Sequence, residues 1–129
     1  MVIAVYNGAA TLPAALGSLA RQDFRSDWEC VLVDNGSSDR SYEIAGQWSD
    51  QLPLRWIVAD AERGQVYARN HGASEARGKY LVFLDQDDEV GPGYLDGMAS
   101  ALKASDFVAA RLDRYALNAP EIAASRSPA

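Results

Sequence analysis

Asp85, Asp87 and Asp88 place three carboxylates within four positions, directly after the apolar run Tyr80-Leu81-Val82-Phe83-Leu84. No Lys or Arg lies between Tyr80 and Leu102 to offset them. Like charges this close cost folding free energy. A divalent cation would remove that cost, because hard cations such as Mn²⁺ and Mg²⁺ take oxygen ligands and bridge carboxylates to phosphates. The residues therefore point to a metal–phosphate site at the C-terminal end of a strand. An acidic turn before a helix, with Asp88 or Glu89 near its N-terminus, would carry the same residues. The rest of the chain bears on which reading holds.

The elements that must position these carboxylates alternate between strand and helix. Val2-Ile3-Ala4-Val5 reads as a strand, and Asn7-Gly8 as a turn. A helix is expected over about 12–21, with Thr11 as its cap and Pro13 tolerated in its first turn. Strands are expected at 29–33, 54–59, 80–84 and 106–112. Between them, helices are expected through Tyr42, Ile44, Ala45 and Trp48, over about 65–77 with Gly78 ending it, and from Gly91-Pro92-Gly93 to about Lys103. Strands separated by helices imply parallel crossovers and an open, mostly parallel α/β sheet with flanking helices, a Rossmann-like architecture. Strands this apolar suit a sheet covered on both faces. After Leu112 the pattern dissolves, so residues 113–129 read as a tail or the start of another unit.

Ligands of open α/β sheets bind beyond the carboxyl ends of the strands. Three strand ends carry polar residues of the right kind: Tyr6-Asn7-Gly8, Asp34-Asn35-Gly36-Ser37-Ser38-Asp39 and Asp85-Gln86-Asp87-Asp88. In a parallel sheet all three share one edge. Singly, each has an ordinary reading as a turn or a cap. Together they suggest a nucleotide site, where Asp34 accepts hydrogen bonds from a base or ribose and Tyr6 packs on a base. Arg69 adds a cation suited to phosphate or carboxylate, with an ion pair to Asp85 or Glu75 as its ordinary role. Gly72 lowers helix stability and so suggests close backbone packing.

The chain has 129 residues, 48% of them hydrophobic, which suits one domain with its own core. A net charge of −6 argues against a general nucleic-acid binder. Cys30 is the single cysteine and reads as a buried structural thiol; His71, the single histidine, has no partners for a zinc site. No apolar run approaches a membrane span and no signal peptide is visible. A cytoplasmic setting is the expectation, with membrane association left to parts outside this chain.

The successive motifs Val2-Ile3-Ala4-Val5-Tyr6-Asn7-Gly8, Val31-Leu32-Val33-Asp34-Asn35-Gly36-Ser37-Ser38-Asp39, Ala68-Arg69-Asn70-His71-Gly72 and Gly78-Lys79-Tyr80-Leu81-Val82-Phe83-Leu84-Asp85-Gln86-Asp87-Asp88 resemble, in order and spacing, the signatures of family-2 glycosyltransferases of the GT-A fold. The resemblance covers residues 1–112. It implies a nucleotide-diphospho-sugar donor, expected to be UDP-linked, a divalent metal (Mn²⁺ or Mg²⁺), and inverting transfer to a saccharide, lipid or protein acceptor. By that analogy Ala4, through its backbone, and Tyr6 line the base pocket. Asp34 bonds the base, Arg69 helps orient the nucleotide, Asp85 lies at the ribose or metal, and Asp87 is the principal metal ligand.

The chain departs from the family at three places. Ala4 stands where Pro is frequent, a small change for a backbone contact. Asn35 stands where a second Asp is frequent, which removes one charge from the base site and keeps hydrogen-bonding capacity. The family's catalytic base is a carboxylate well beyond the D-x-D residues, and neither Asp113 nor Glu121 has that context. No residue of this chain is therefore read as the base, which is expected beyond Ala129. The expectation is a donor-binding part without most of the acceptor half, inactive in transfer by itself. An uncovered sheet edge then suggests a homodimer. The competing reading is a non-catalytic nucleotide-binding module of the same fold. A receiver-like signalling domain would need a Lys after the last strand, and a dinucleotide oxidoreductase a G-x-G-x-x-G after the first; both are absent.

Overall fold

Strands alternate apolar residues between two sides of a sheet, and β1 (Val2–Val5) does so here. In the computed structural model, which describes residues 1–113, Ile3 and Val5 face one layer of helices while Val2 faces another. The remaining elements are α1 (Leu12–Ala20), β2 (Cys30–Asp34), α2 (Ser41–Gly46), β3 (Leu54–Val58), α3 (Gln65–Glu75), β4 (Phe83–Asp85) and α4 (Tyr94–Ala104). The four strands are all parallel, in the order β3-β2-β1-β4. Every crossover is helical, as parallel pairing requires.

On one face Ile3, Val5, Leu32 and Leu84 pack against Leu12, Leu16 and Leu19 of α1, Ala45 of α2 and Leu95 of α4. On the other, Val2, Val31 and Val33 meet Ala68 of α3. Burying each large aliphatic side chain contributes about 1.5–3 kcal/mol, so β1 and β2 anchor the domain. Cys30 is part of this core, and burial pushes its thiol pKa up to about 12. Gly72 is where α3 meets the sheet. A Cβ there would lie 2.5 Å from Val2 Cγ1 and 2.6 Å from Val33 Cγ2.

Some expectations change. No strand forms over 106–112: the segment has no ladder pairing, and Phe107 and Leu112 are exposed. β4 is at the sheet edge and pairs with β1 alone; residues 81–85 and 106–113 line one groove without forming a ladder. The strand expected at 80–84 is confined to Phe83–Asp85, because the register sets Phe83 opposite Val2 and leaves Tyr80 and Leu81 beyond β1. Leu81, beyond the ladder, and Phe83, on the edge strand, are exposed. Helix α3 ends at Glu75, with Ala76 already extended, so Gly78 is not its stop. Thr11 occupies the N-cap of α1, yet its hydroxyl donates to the Gly8 carbonyl at 3.4 Å rather than capping the helix. The expected tail, apart from Asp113, lies outside the described residues, and with it Glu121 and Ala129, the position past which the catalytic base is expected.

A charged cluster closes the edge of the sheet opposite the polar loops. Glu29 accepts from the Arg55 guanidinium at 3.1 Å and from the Arg77 backbone N–H. Burial pushes the Glu29 carboxyl up, but the Arg77 N–H and the Arg55 guanidinium outweigh it and hold the pKa below the ordinary value. A depressed carboxylate pKa stabilises the fold above the unfolded value, about 4.3 for Glu, and that stability is lost as pH falls through the folded value. Glu29→Gln should therefore cost about 1–2 kcal/mol at pH 7 and much less in acid. Urea unfolding across pH 3–7 checks this, and identical pH profiles for the two proteins would contradict it.

Candidate functional site

The ends of β1, β2 and β4 converge as the parallel topology requires. A cleft of about 430 Å³ is lined by Ala4, Val5 and Tyr6 after β1, Asn35 after β2, Gln65 and Ala68 of α3, and Asp85, Gln86 and Asp87 after β4. Of the residues singled out in the sequence, Ala4, Tyr6, Asp85 and Asp87 share this cleft. Arg69 reaches it indirectly, through its ion pair with Asp85. Asp34 is not in the cleft wall; its Oδ1 accepts the Ser37 N–H at 2.9 Å and shapes the turn, with Gly36 at a φ of +82°.

The loops brace each other. Asn7 has a φ of 47°, and its N–H donates to Ser37 Oγ at 3.0 Å while its Oδ1 accepts the Ser38 N–H at 2.8 Å. The Gly8 N–H donates to buried Ser41 Oγ at 2.8 Å, and the Ala9 N–H to Asp39 Oδ2 at 2.9 Å. Donation from the Ser41 hydroxyl is the main reason the Asp39 carboxyl titrates below its usual range. The sequence suggests an N-cap at Ser38 or Asp39. Asp39 Oδ1 does accept the N–H of Ser41, the first residue of α2, at 3.0 Å, and Asp39 and Ser41 also tie the loop after β2 to the loop after β1.

Asn35 is buried and fully engaged. Its Nδ2 donates to the carbonyls of Ala59 at 2.6 Å and Glu62 at 2.7 Å, and its Oδ1 accepts the Gly64 N–H at 2.8 Å. So its amide holds the 59–64 loop, and its hydrogen-bonding capacity is spent on backbone. That loop carries Arg63, whose Nη1 donates to the carbonyls of Asn35 at 3.2 Å and Gly36 at 3.3 Å. The guanidinium carbon lies 5.1 Å from the centre of the half-exposed Tyr6 ring, a cation–π contact.

At the acidic end, Asp85 Oδ1 accepts from Gln65 Nε2 at 2.9 Å and from Arg69 Nη2. Helix α3 thus supplies the cation that the local sequence lacks. The Asp88 carboxyl is pushed up, first by burial and then by Asp85 and Asp87. Burial, and secondarily Asp88, raises the Tyr94 phenol. Among the described residues no group of three or more His, Cys, Asp or Glu gathers as a complete ligand set. Asp85 and Asp87 nevertheless face one cleft. Mg²⁺-type sites characteristically use one or two carboxylates plus substrate phosphates and waters, and that donor set fits.

Arg63, Gln65 and Gln86 also belong to the site, and their sequence context does not mark them out. The signal for Gln86 is register: Ala4 pairs with Asp85, which carries Gln86 alongside the loop that begins at Tyr6. Arg63 and Gln65 flank Gly64 in an ordinary-looking turn, and only the folded 59–64 loop brings them to the site.

Known proteins give the same arrangement a context. The S. aureus TarS 1–349 structure in complex with UDP-GlcNAc superposes with a TM-score of 0.71 at 27% identity, covering 80% of this chain and 30% of that one. A mannosyltransferase from Pyrobaculum calidifontis in complex with GDP-Man and Mn²⁺ superposes at 0.67 and 27% identity, covering 79% and 30%. The fold is therefore GT-A-like. A PGL/p-HBAD biosynthesis glycosyltransferase of Mycobacterium bovis is 42% identical over 91 residues, 70% of this chain and 35% of the relative. The chain thus spans about a third of the length of the proteins it matches. The profile of glycosyl transferase family 2 matches residues 1–127. This chain, with its parallel sheet and its loops gathered at one edge, belongs to glycosyl transferase family 2.

Proposed function

We propose that residues 1–112 form the donor-binding part of an inverting glycosyltransferase that uses a nucleotide-diphospho-sugar, expected to be UDP-linked, with Mn²⁺ or Mg²⁺. The observation that carries this is the meeting of Ala4, Tyr6, Asp85 and Asp87 in one cleft at the carboxyl edge of the sheet. Neighbours solved with UDP-GlcNAc and with GDP-Man and Mn²⁺ support it. Tyr6 offers a ring to the base, and the Ala4 backbone forms the floor of its pocket. Asp34, just outside the cleft wall, holds the turn with Oδ1 through the Ser37 N–H and offers its other oxygen to the base. Asp85, oriented by Gln65 and Arg69, turns toward the ribose and metal. Asp87, exposed and without a fixed partner in this network, is the principal metal ligand. When bound, the cation neutralises the charge of the departing diphosphate. An acceptor hydroxyl of a saccharide, lipid or protein would attack the anomeric carbon from the opposite side. The base that takes its proton is assigned to no residue up to Ala129, and transfer by this chain alone is expected to be slight.

Calorimetric titration with UDP and with GDP, in Mn²⁺ and then in EDTA, tests the reading. Nucleotide binding should require the metal. Asp87→Ala should weaken it by at least about tenfold, since losing even a supporting partner of a metal ligand costs about 10–100-fold in metal affinity. Equal binding with and without metal, or an unaffected Asp87→Ala protein, would overturn it.

A further inference from the structure

The side chain of Gln86 makes a reciprocal pair of hydrogen bonds with the backbone of one residue. Its Oε1 accepts the Tyr6 N–H at 2.9 Å, and its Nε2 donates to the Tyr6 carbonyl at 3.1 Å. An amide used this way imitates a strand neighbour. The β1–β4 ladder ends at Ala4 and Asp85, and Gln86 extends its pairing to Tyr6 with a side chain. The amide also lies close against Gly8. A Cβ on Gly8 would sit 2.7 Å from Gln86 Oε1 and 3.2 Å from its Cδ.

We propose that Gln86 is a positioning residue of the donor site, fixing the distance between the Tyr6 end of the cleft and the Asp85–Asp87 end. This rests on the donor reading above. Tyr6 and Asp87 stand at opposite ends of one ligand: the base meets the first, and the diphosphate with its cation meets the second. The two loops come from strands far apart in sequence, and among the described hydrogen bonds those of Gln86 join Tyr6 directly to the carboxylate loop. A ligand that touches both ends gains from a fixed separation, because binding one end sets the effective concentration at the other. A ligand that touches one end gains nothing from it. Gln86, itself in the cleft wall, thus favours whole nucleotides over their halves by fixing that separation.

Gln86→Met keeps the length and removes both hydrogen bonds. Gln86→Glu keeps the acceptor and loses the donor. NMR titrations of the intact chain with UDP plus Mg²⁺, with uridine, and with Mg²⁺–pyrophosphate separate whole ligand from halves. Backbone hydrogen exchange of the ligand-free protein reads the lock itself. In Gln86→Met the Tyr6 amide should exchange at least about tenfold faster while amides of β1 hold. UDP affinity should fall about tenfold, with the two half-ligands changed less than about twofold. Gln86→Glu should fall between. Faster Tyr6 exchange with unchanged UDP affinity would overturn the proposal, as would equal losses for UDP and its halves, the mark of a merely structural defect. If the wild-type protein binds no nucleotide, the donor reading fails and this role with it, whatever the exchange rates show.

Discussion

Aspartate in place of Asn35 is expected to destabilise the domain by about 3 kcal/mol at pH 7, because a buried acceptor left without its donor costs about 1–3 kcal/mol. The Asn35 amide donates to the Ala59 and Glu62 carbonyls and is buried. A carboxylate would put negative charge against both oxygens and leave them unpaired. The change is isosteric, so packing contributes little and the loss is electrostatic. The new carboxyl should titrate above the ordinary aspartate value of about 3.9, since burial and facing carbonyls disfavour its charged form. Protonated, it recovers one donor. A raised folded pKa gives stability that is present in acid and lost as pH rises. The deficit should therefore be smallest near pH 4 and grow toward pH 7. Urea unfolding at both values measures it, and a deficit independent of pH would contradict the assignment of the amide.

Gly72→Ala is the second large effect, and two terms of opposite sign compete. Alanine gains about 1 kcal/mol over glycine in helix propensity. Against that, the new methyl would meet Val2 Cγ1 at 2.5 Å and Val33 Cγ2 at 2.6 Å. Both valines are fully buried, and β-branched side chains have one preferred rotamer with little room to turn. Overpacking of this kind typically costs about 1–3 kcal/mol, and two hard contacts place it at the upper end. The net loss should be about 2 kcal/mol, seen as a urea midpoint lower by about 1 M for a slope of about 2 kcal/mol per M. A variant as stable as the wild type would show that α3 can lift from the sheet without cost.

What could be read in the residues before the fold follows from range. Periodicity and β-branched runs are local, so β1, β2, β3 and the helices came out close to where they lie. The parallel order followed because helical crossovers permit little else, and it delivered the shared edge on which Tyr6 and Asp85 meet. The failures concern neighbours. Residues 106–112 have the composition of a strand yet make no ladder with the open edge of β4, and Tyr80 and Leu81 fall beyond the start of β1. Whether a stretch completes a ladder depends on what lies beside it, which its own residues do not encode. The loops show the same limit. Asp39 carries the chemistry of a helix cap and meets the Ser41 N–H, yet with Ser41 it also serves a loop some 30 residues away in sequence. Asn35 looked like a ligand group and spends its amide on backbone. Arg69 is the ion-pair partner of Asp85, its ordinary role, and that same pair sets it beside the cleft.

Mapping amide shifts on adding UDP and Mg²⁺ tests most directly whether the three strand ends form one nucleotide site. The account predicts changes confined to residues 4–8, 34–37, 65, 69 and 85–88, all abolished by EDTA. Shifts centred elsewhere on the sheet, or on one loop alone, would contradict it.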